Sequence, residues 1–388
     1  MTQHALLSAS AAHRWLHCTA APRLEAEFPD TTSEYAREGT LAHAIAELKV
    51  RKYAVEPMNQ SAFTKAYNKL KKDELYQPEM DGYTNDYLDY VKTVMLQYDV
   101  RPHVVLEKRV DFSAYVPEGF GTADCIIMAG DVLHIVDFKY GKGVPVDAVG
   151  NPQMRLYALG ALAAYGMLYT FKSVVMHIVQ PRISNYSTDT IPVHTLINWG
   201  KTYVKPRAEA AFIGKGEFEP GDGCRFCRAK MQCKARSEHY ASYLDVAQER
   251  HDVRLMTMDD LGWYLTVSKD LKAWAEDLQE YALSCCLSGR RVPGWKAVEG
   301  RGSRTFTDLD AAFNRLTDHG IDKTVLYNYV PLTLAQAEKV VGKTEFNKIL
   351  SDYIVKNPGK PTLAPESDKR EAITNATKAK DVFTKLED

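Results

Sequence analysis

Two short runs, Gly121-Thr122-Ala123-Asp124 and Val136-Asp137-Phe138-Lys139, put two carboxylates and an amine into a stretch that is otherwise apolar. Between them, Ala129-Gly130-Asp131-Val132 reads as a β-hairpin with Gly130-Asp131 as its two-residue loop. Pairing outward from Ala129 and Val132 sets Ile126 against Ile135 and Asp124 across from Asp137. Cross-strand neighbours share a face, with Cβ atoms about 4.5–5.5 Å apart. Lys139, two residues beyond Asp137, projects from that face too. Two opposed carboxylates at the end of a buried hairpin repel each other and lose hydration. A divalent cation that prefers oxygen ligands, Mg²⁺ or Mn²⁺, resolves the conflict. A lysine beside it can position an attacking water or stabilise charge on a phosphate. Two solvated strand-end aspartates would account for a lone DxK triplet; the register favours the metal site.

Other residues support that centre. His43 falls on a strong helix with Glu47 one turn later on the same face, and its imidazole would shift the preference towards Mn²⁺. A structural, hydrogen-bonded histidine is the plainer reading of His43 alone. Gln153 and Tyr157 are i,i+4 neighbours on the helix after the lysine strand, suited to touching a DNA backbone or bracing the site. Glu107 is a further acid whose direction the spacing does not fix. Three of the seven cysteines, Cys224, Cys227 and Cys233, fall within ten residues, which points to metal or cluster ligation and not to disulfides. A fourth thiolate is needed for zinc or for a cubane cluster, and Cys18 is the candidate. Zinc sites usually arise from two local pairs, so a one-plus-three arrangement suits zinc less well. Cys125 reads as core, and Cys285 and Cys286 as helix packing.

The elements that must position these groups form an α/β fold: a small mixed central sheet flanked by helices, followed by a mainly helical C-terminal domain. Strands are expected at His103–Phe112, Thr122–Ala129, Val132–Tyr140, Ser173–Gln180 and Thr188–His194. Residues 1–56 read as helical, with Thr40 as N-cap of Leu41–Lys49. A polar helical stretch rich in Lys and Tyr runs on to about Tyr98. Asn151 caps a helix with Pro152 in its first turn, and another helix follows over Leu196–Phe212. The expected organisation is a core at 1–240, closed by the cysteine segment, a helical domain at 241–355 and a loosely ordered tail at 356–388.

Glu38-Gly39-Thr40-Leu41-Ala42-His43, Gly121-Thr122-Ala123-Asp124, Val136-Asp137-Phe138-Lys139 and Gln153-xxx-Tyr157 resemble, in order, the motifs of RecB-like PD-(D/E)XK nucleases. The resemblance implies a restriction-endonuclease-like fold and hydrolysis of DNA phosphodiesters with Mg²⁺ or Mn²⁺. It implies metal binding by His43, Asp124, Asp137 and the Phe138 carbonyl, with Asp124, Asp137 and Lys139 catalytic. Gln153 and Tyr157 match the QxxxY motif of that branch. The one-plus-three cysteines are similar to those of AddB-like and CRISPR-associated RecB-like exonucleases, where they hold a [4Fe–4S] cluster. By that resemblance Cys18, Cys224, Cys227 and Cys233 are its ligands here. The chain is most similar to a prophage branch of the group, whose carboxy-terminal region resembles residues 290–370 here. That implies a DNA exonuclease processing ends in phage recombination or replication, with a phage recombinase or single-strand-binding protein as partner. A structure-specific endonuclease, a DNA-binding recombination-complex protein with little nuclease activity, and a non-catalytic zinc protein are the alternatives.

Composition fits a soluble, cytoplasmic reading: 388 residues, 45% hydrophobic, with no stretch of about 20 apolar residues to span a membrane. The net charge of −1 gives no bulk support to nucleic-acid binding, so a DNA surface must be a local basic groove. One such cluster is Arg290, Arg291, Lys296, Arg301 and Arg304 beside Trp295 and Phe306. A solvated basic loop has the same composition.

Overall fold

A computed structural model describes residues 5–29, 34–249, 258–300, 302–328, 330–357, 361–365, 371 and 373. The chain divides into two compact units, Met1–His251 and Asp252–Asp388.

The first unit is built on a five-stranded sheet: β1 (His103–Asp111), β2 (Phe120–Ala129), β3 (Val132–Phe138), β4 (Ser173–Gln180) and β5 (Asn185–Pro192), in that order. Neighbours are antiparallel except β3 and β4, which run parallel. Parallel neighbours need a crossover, and the connection from β3 to β4 contains the helix Pro152–Tyr165. Ahead of the sheet lie α1 (Ala12–His17), α2 (Ala21–Glu25), α3 (Glu34–Val50), α4 (Gln60–Leu70) and α5 (Glu79–Met95). The crossover helix is α6, and α7 (Val193–Trp199), α8 (Lys205–Phe212) and α9 (Lys234–Glu249) follow.

Two apolar layers cover the two sheet faces. On one, Ile126, Met128 and Ile135 pack with Trp15 of α1 and Leu156 and Leu159 of α6. On the other, Ile127, Val136 and Phe138 pack with Leu41 and Ile45 of α3 and Tyr87 of α5. Alternation along β3 sends each side chain to one layer or the other. Lys49 fixes α3 on α5: its buried amine donates to the Asp81 carbonyl, Thr84 Oγ1 and Asn85 Oδ1 at 2.7–2.9 Å.

The strands differ from expectation mainly at their ends. Strand β5 starts three residues earlier than expected, because Gln180 pairs with Asn185 across a tight turn whose Ser184 is left-handed, at φ 53°. Thr40 is not a cap: α3 begins at Glu34, and the Thr40 hydroxyl donates back to the Ala36 carbonyl at 3.0 Å, as interior threonines do. The helix expected over Leu196–Phe212 is α7 and α8 joined by a π-helical turn, Gly200–Val204.

Inside the α5 face, His134 and His177 stack with ring centroids 5.3 Å apart, and His134 Nδ1 meets His177 Nε2 at 3.0 Å. Tyr98 and Tyr90 hydroxyls close the outer ends at 2.7 and 3.0 Å, with Thr188 Oγ1 3.4 Å from His177 Nδ1. Burial pushes His134 down to about 4; burial and then the His134 charge push His177 down to about 3. Both rings should therefore stay neutral from pH 8 to pH 5.5, when ordinary histidines titrate. The unfolded chain takes up protons below about pH 6.5 that the folded chain refuses, so this contribution is complete above that pH. It is lost as pH falls, at up to about 1.4 kcal/mol per pH unit for each ring. NMR titration of the imidazole resonances checks this, and a midpoint near 6.5 for either ring would contradict it.

The second unit contains α10 (Met258–Leu287), α11 (Leu309–Asp318), α12 (Leu334–Val341) and α13 (Lys343–Leu350) with short strand pairs. Its core gathers Phe313, Leu316, Leu326, Phe346 and Leu350. The segment expected to be a loose tail supplies a strand, Thr362–Pro365, paired antiparallel with Trp295–Val298. Among the described residues no helix is long and apolar enough to cross a membrane.

Candidate active site

The β2–β3 hairpin has the expected register, with Ala129 on Val132, Ile126 on Ile135 and Cys125 on Val136. Gly130 takes φ 57°, as a tight hairpin turn asks of its first residue. The ladder stops one step short of the expected Asp124–Asp137 pair. There Asp124 Oδ2 accepts the Phe138 N–H at 2.8 Å. A local inversion is the cause. On β1, Val104 and Leu106 face the α3 layer, whereas Val110, and Phe112 just past the strand, face the α6 layer. On β2, Cys125 and Ala123 divide the same way. Both strands change face at Glu107 and Asp124, and Glu107 carries a left-handed φ of 46°. The twist brings Asp124 to the α3 side, within reach of a helix that a regular strand would have turned it from.

His43 Nε2 lies 3.3 Å from Asp124 Oδ2, and its Nδ1 lies 2.8 Å from the Gly39 carbonyl. Only a protonated Nδ1 can make that bond, so the neutral ring presents its lone pair at Nε2, towards the acids. Asp137 is buried at 3% exposure. Lys139 Nζ is 3.0 Å from Asp137 Oδ2 and donates to Gln153 Oε1 at 3.1 Å. Asp137 Oδ2 is buried, and the Lys139 ammonium is the one group that reaches it among the described residues. Gln153 Nε2 reaches Asp137 Oδ1 at 3.4 Å and Tyr157 Oη at 3.1 Å. Of the two residues expected to touch DNA or to brace, Gln153 bonds Lys139 and Asp137, and Tyr157 bonds Gln153. Tyr157 packs so close to Gly121 that a Cβ there would lie 2.6 Å from its ring.

The charges are strongly interdependent. Burial raises Asp137 to about 6 against the pull of Lys139, with Asp124 adding to the rise. Burial also opposes ionisation of Asp124, but His43, the Phe138 N–H and Lys139 together hold it below the usual carboxylate range. Burial would lower His43, yet Asp124 carries it up to about 9. Lys139 is raised despite burial, by Asp137 and then Asp124. Glu107 joins them: desolvation and then the Asp124 charge push its carboxyl up to about 7. Sequence spacing left its direction open; the residue is exposed, on the strand opposite Asp124.

These groups suit a hard divalent cation. Two carboxylates and one imidazole nitrogen are oxygen-rich ligands, and two buried acids against one lysine leave negative charge for a cation to offset. His43, Asp124, Asp137 and the Phe138 carbonyl would hold it. As placed, no group of three His, Cys, Asp or Glu side chains among the described residues, the cysteines included, is arranged to hold a metal ion, so either centre would require its side chains to draw together.

The four cysteines expected to act together, Cys18, Cys224, Cys227 and Cys233, line one pocket with Arg14 and Arg236. Main-chain bonds bring the distant segments together. Ala20 N–H donates to the Glu217 carbonyl at 3.1 Å, and Glu217 N–H to Thr19 Oγ1 at 2.8 Å. Glu25 ties them a second time, accepting from Arg14 Nε at 2.9 Å and from the Arg228 N–H at 2.8 Å. Gly216 and Gly221 permit the approach; a Cβ on the first would lie 2.2 Å from Thr19 backbone, and on the second 2.7 Å from the His17 ring. Gly221 N–H donates to Cys224 Sγ at 3.4 Å. Burial, and then the Glu25 charge, pushes the Cys227 thiol up to about 12. Soft sulphur donors, an N–H···S bond and two flanking guanidinium groups fit an iron–sulphur cluster or zinc. Cys125 and Cys285 are buried.

The basic cluster of the second unit is less open than its composition implies. Arg304 is bound to Glu338 at 2.6 Å, and Arg290 lies 5.7 Å from the Tyr281 ring. Arg291 is exposed, and Arg301 lies outside the described residues.

Among solved structures, the chain is similar to LHK-Exo in complex with dAMP, at 11% identity over 46% of this chain and 93% of that one, with a TM-score of 0.24. It is similar to SSO0001 at 14% identity over 56% of this chain and 95% of that one, with a TM-score of 0.22. A family model matches residues 4–371, nearly the whole chain, and the chain therefore belongs to the family described as Protein of unknown function (DUF2800).

Proposed function

We propose that this chain is a metal-dependent deoxyribonuclease, an exonuclease that processes DNA ends, as in phage recombination or replication. The observation that carries the reading is a buried Asp137 carboxylate 3.0 Å from the Lys139 amine, with Asp124 and His43 beside them. His43, Asp124, Asp137 and the Phe138 carbonyl would hold Mg²⁺ or Mn²⁺, which when bound lowers the pKa of its water and offsets charge on a phosphate. Lys139 stays charged, and Gln153 and Asp137 fix its direction. It can hold the attacking water or donate to a non-bridging phosphate oxygen as charge develops there. Gln153 and Asp137 share that amine, at 3.1 and 3.0 Å. Burial of the acids excludes bulk water and strengthens each of these interactions.

We also propose that the four-cysteine pocket holds a [4Fe–4S] cluster that staples the amino-terminal helices to the end of the first unit. Its support is the convergence of Cys18 with the three local cysteines.

A degradation assay separates the readings. DNA labelled at either end, single- or double-stranded, linear or closed circular, is incubated in Mg²⁺ and in Mn²⁺. Progressive loss of linear DNA with circles spared is expected. Cleavage of closed circles supports a structure-specific endonuclease instead. No hydrolysis of any substrate in either metal would leave a DNA-binding protein and sink the enzyme reading.

A further inference from the structure

The active site leaves one surface of the first unit without a role. Helix α7 passes through the π turn Gly200–Val204 directly into α8. Trp199, Tyr203 and Arg207 are spaced four residues apart along it. On a 3.6-residue helix such a row drifts around the axis, and the wider π turn drives it back into line. The result is a stack. Arg155 of α6 lies 5.5 Å from the Trp199 ring centroid, Trp199 and Tyr203 stand 6.3 Å apart at 21°, and Arg207 sits 4.0 Å over Tyr203. Gly200 seats the turn on the core, where a Cβ would meet the Tyr115 ring at 2.8 Å and Leu159 at 3.0 Å.

Outward, the surface is basic and aromatic. Tyr203 is 38% exposed, and Lys201 and Lys205 are exposed beside it. From Lys201 to Lys215 four cations face the single acid Glu209, in a chain whose net charge is −1. Trp199 rests partly buried on the core, but a solvated helix face has no need of an exposed Tyr203 capped by Arg207. A duplex offers phosphates but buries its base faces, whereas an unpaired strand offers both. Arg155, the first member of the stack, stands two residues from Gln153, which brackets Lys139.

We propose that the α7–α8 surface, through Trp199, Tyr203 and Arg207 with Lys201 and Lys205, is a docking track for single-stranded DNA. Resting on the nuclease reading, it makes that strand part of the substrate. The exposed Tyr203 edge and the Arg207 guanidinium plane, held in place by Trp199, take the bases, and the lysines take the phosphates.

The test uses the full chain carrying Asp137→Asn, in EDTA, so that binding is read without hydrolysis. Fluorescence anisotropy of a labelled oligothymidylate is expected to show about tenfold weaker binding for Tyr203→Ala. Tyr203→Phe, which keeps the ring, should bind like the parent. Lys201→Glu with Lys205→Glu should weaken binding and flatten its salt dependence. A duplex of equal length should bind more weakly and ignore Tyr203→Ala. Parent-like binding by Tyr203→Ala at an unchanged melting temperature overturns the track, and so does an equal loss with Tyr203→Phe or with duplex. If the wild type hydrolyses no DNA while the Tyr203 effect persists, the nuclease reading falls and the track stands. Hydrolysis without a Tyr203 effect has the reverse meaning.

Discussion

Asp137→Asn should lose metal-dependent DNA hydrolysis by roughly three orders of magnitude or more while keeping its fold. The carboxylate is nearly the same size as the amide, so no packing is lost. Its charge is another matter. Burial raises Asp137 to about 6, above its ordinary range, so its ionised form is disfavoured in the folded chain. A raised acid costs stability once pH exceeds its unfolded value, and at pH 7 that cost is fully present. Removing the charge should therefore leave the melting temperature unchanged or higher, although Lys139 keeps only Asp124 as its close counter-charge. A merely structural aspartate predicts the opposite pair of results, with activity retained and stability reduced. Hydrolysis rates in Mg²⁺ and Mn²⁺, read beside a thermal melt, decide between them. Wild-type hydrolysis by Asp137→Asn would falsify the assignment of this centre.

Much of this centre was legible in the sequence because hairpin register follows from a two-residue loop. Once Gly130-Asp131 is the turn, every pair down to Cys125–Val136 follows by counting. Counting fails where the backbone leaves the β region. Glu107 in a left-handed conformation reverses which face even-numbered residues of β1 occupy, and β2 turns with it. The only trace in the sequence is the charged run Glu107-Lys108-Arg109 inside an otherwise alternating strand. Thr40 shows a second limit, since a good capping residue also fits a helix interior when its hydroxyl can bond one turn back. The His134–His177 pair shows a third. Its rings meet across two strands that are adjacent only through a parallel crossover, and local pattern carries no signal of that. The π turn escaped for a similar reason: Leu196–Phe212 reads as one helix, whereas the close approach of Gly200 to Tyr115 is a tertiary contact.

Cys18→Ala should cost iron, sulphide and thermal stability together. Protein purified without oxygen is expected to be brown, with iron and acid-labile sulphide near four each per chain by the cubane stoichiometry. Cys18 and Cys224 are separated by more than 200 residues, so a cluster joining them closes a very long loop. For a covalent cross-link that closure is worth about 4–5 kcal/mol. In a unit of this size it corresponds to a melting shift of roughly 10 °C. The main-chain bonds between residues 19–20 and 217 hold part of that geometry without any metal, which makes the estimate an upper bound. Cys285→Ser is the control, because Cys285 does not line the pocket and its loss should leave iron content unchanged. Metal analysis with sulphide determination and calorimetry supplies the readout. Stoichiometric zinc without sulphide in anaerobic protein, or full iron content in Cys18→Ala, rules the cluster out. Neither result touches the acidic hairpin, since Asp124, Asp137 and Lys139 are positioned by β2, β3 and α6, whichever metal closes the staple.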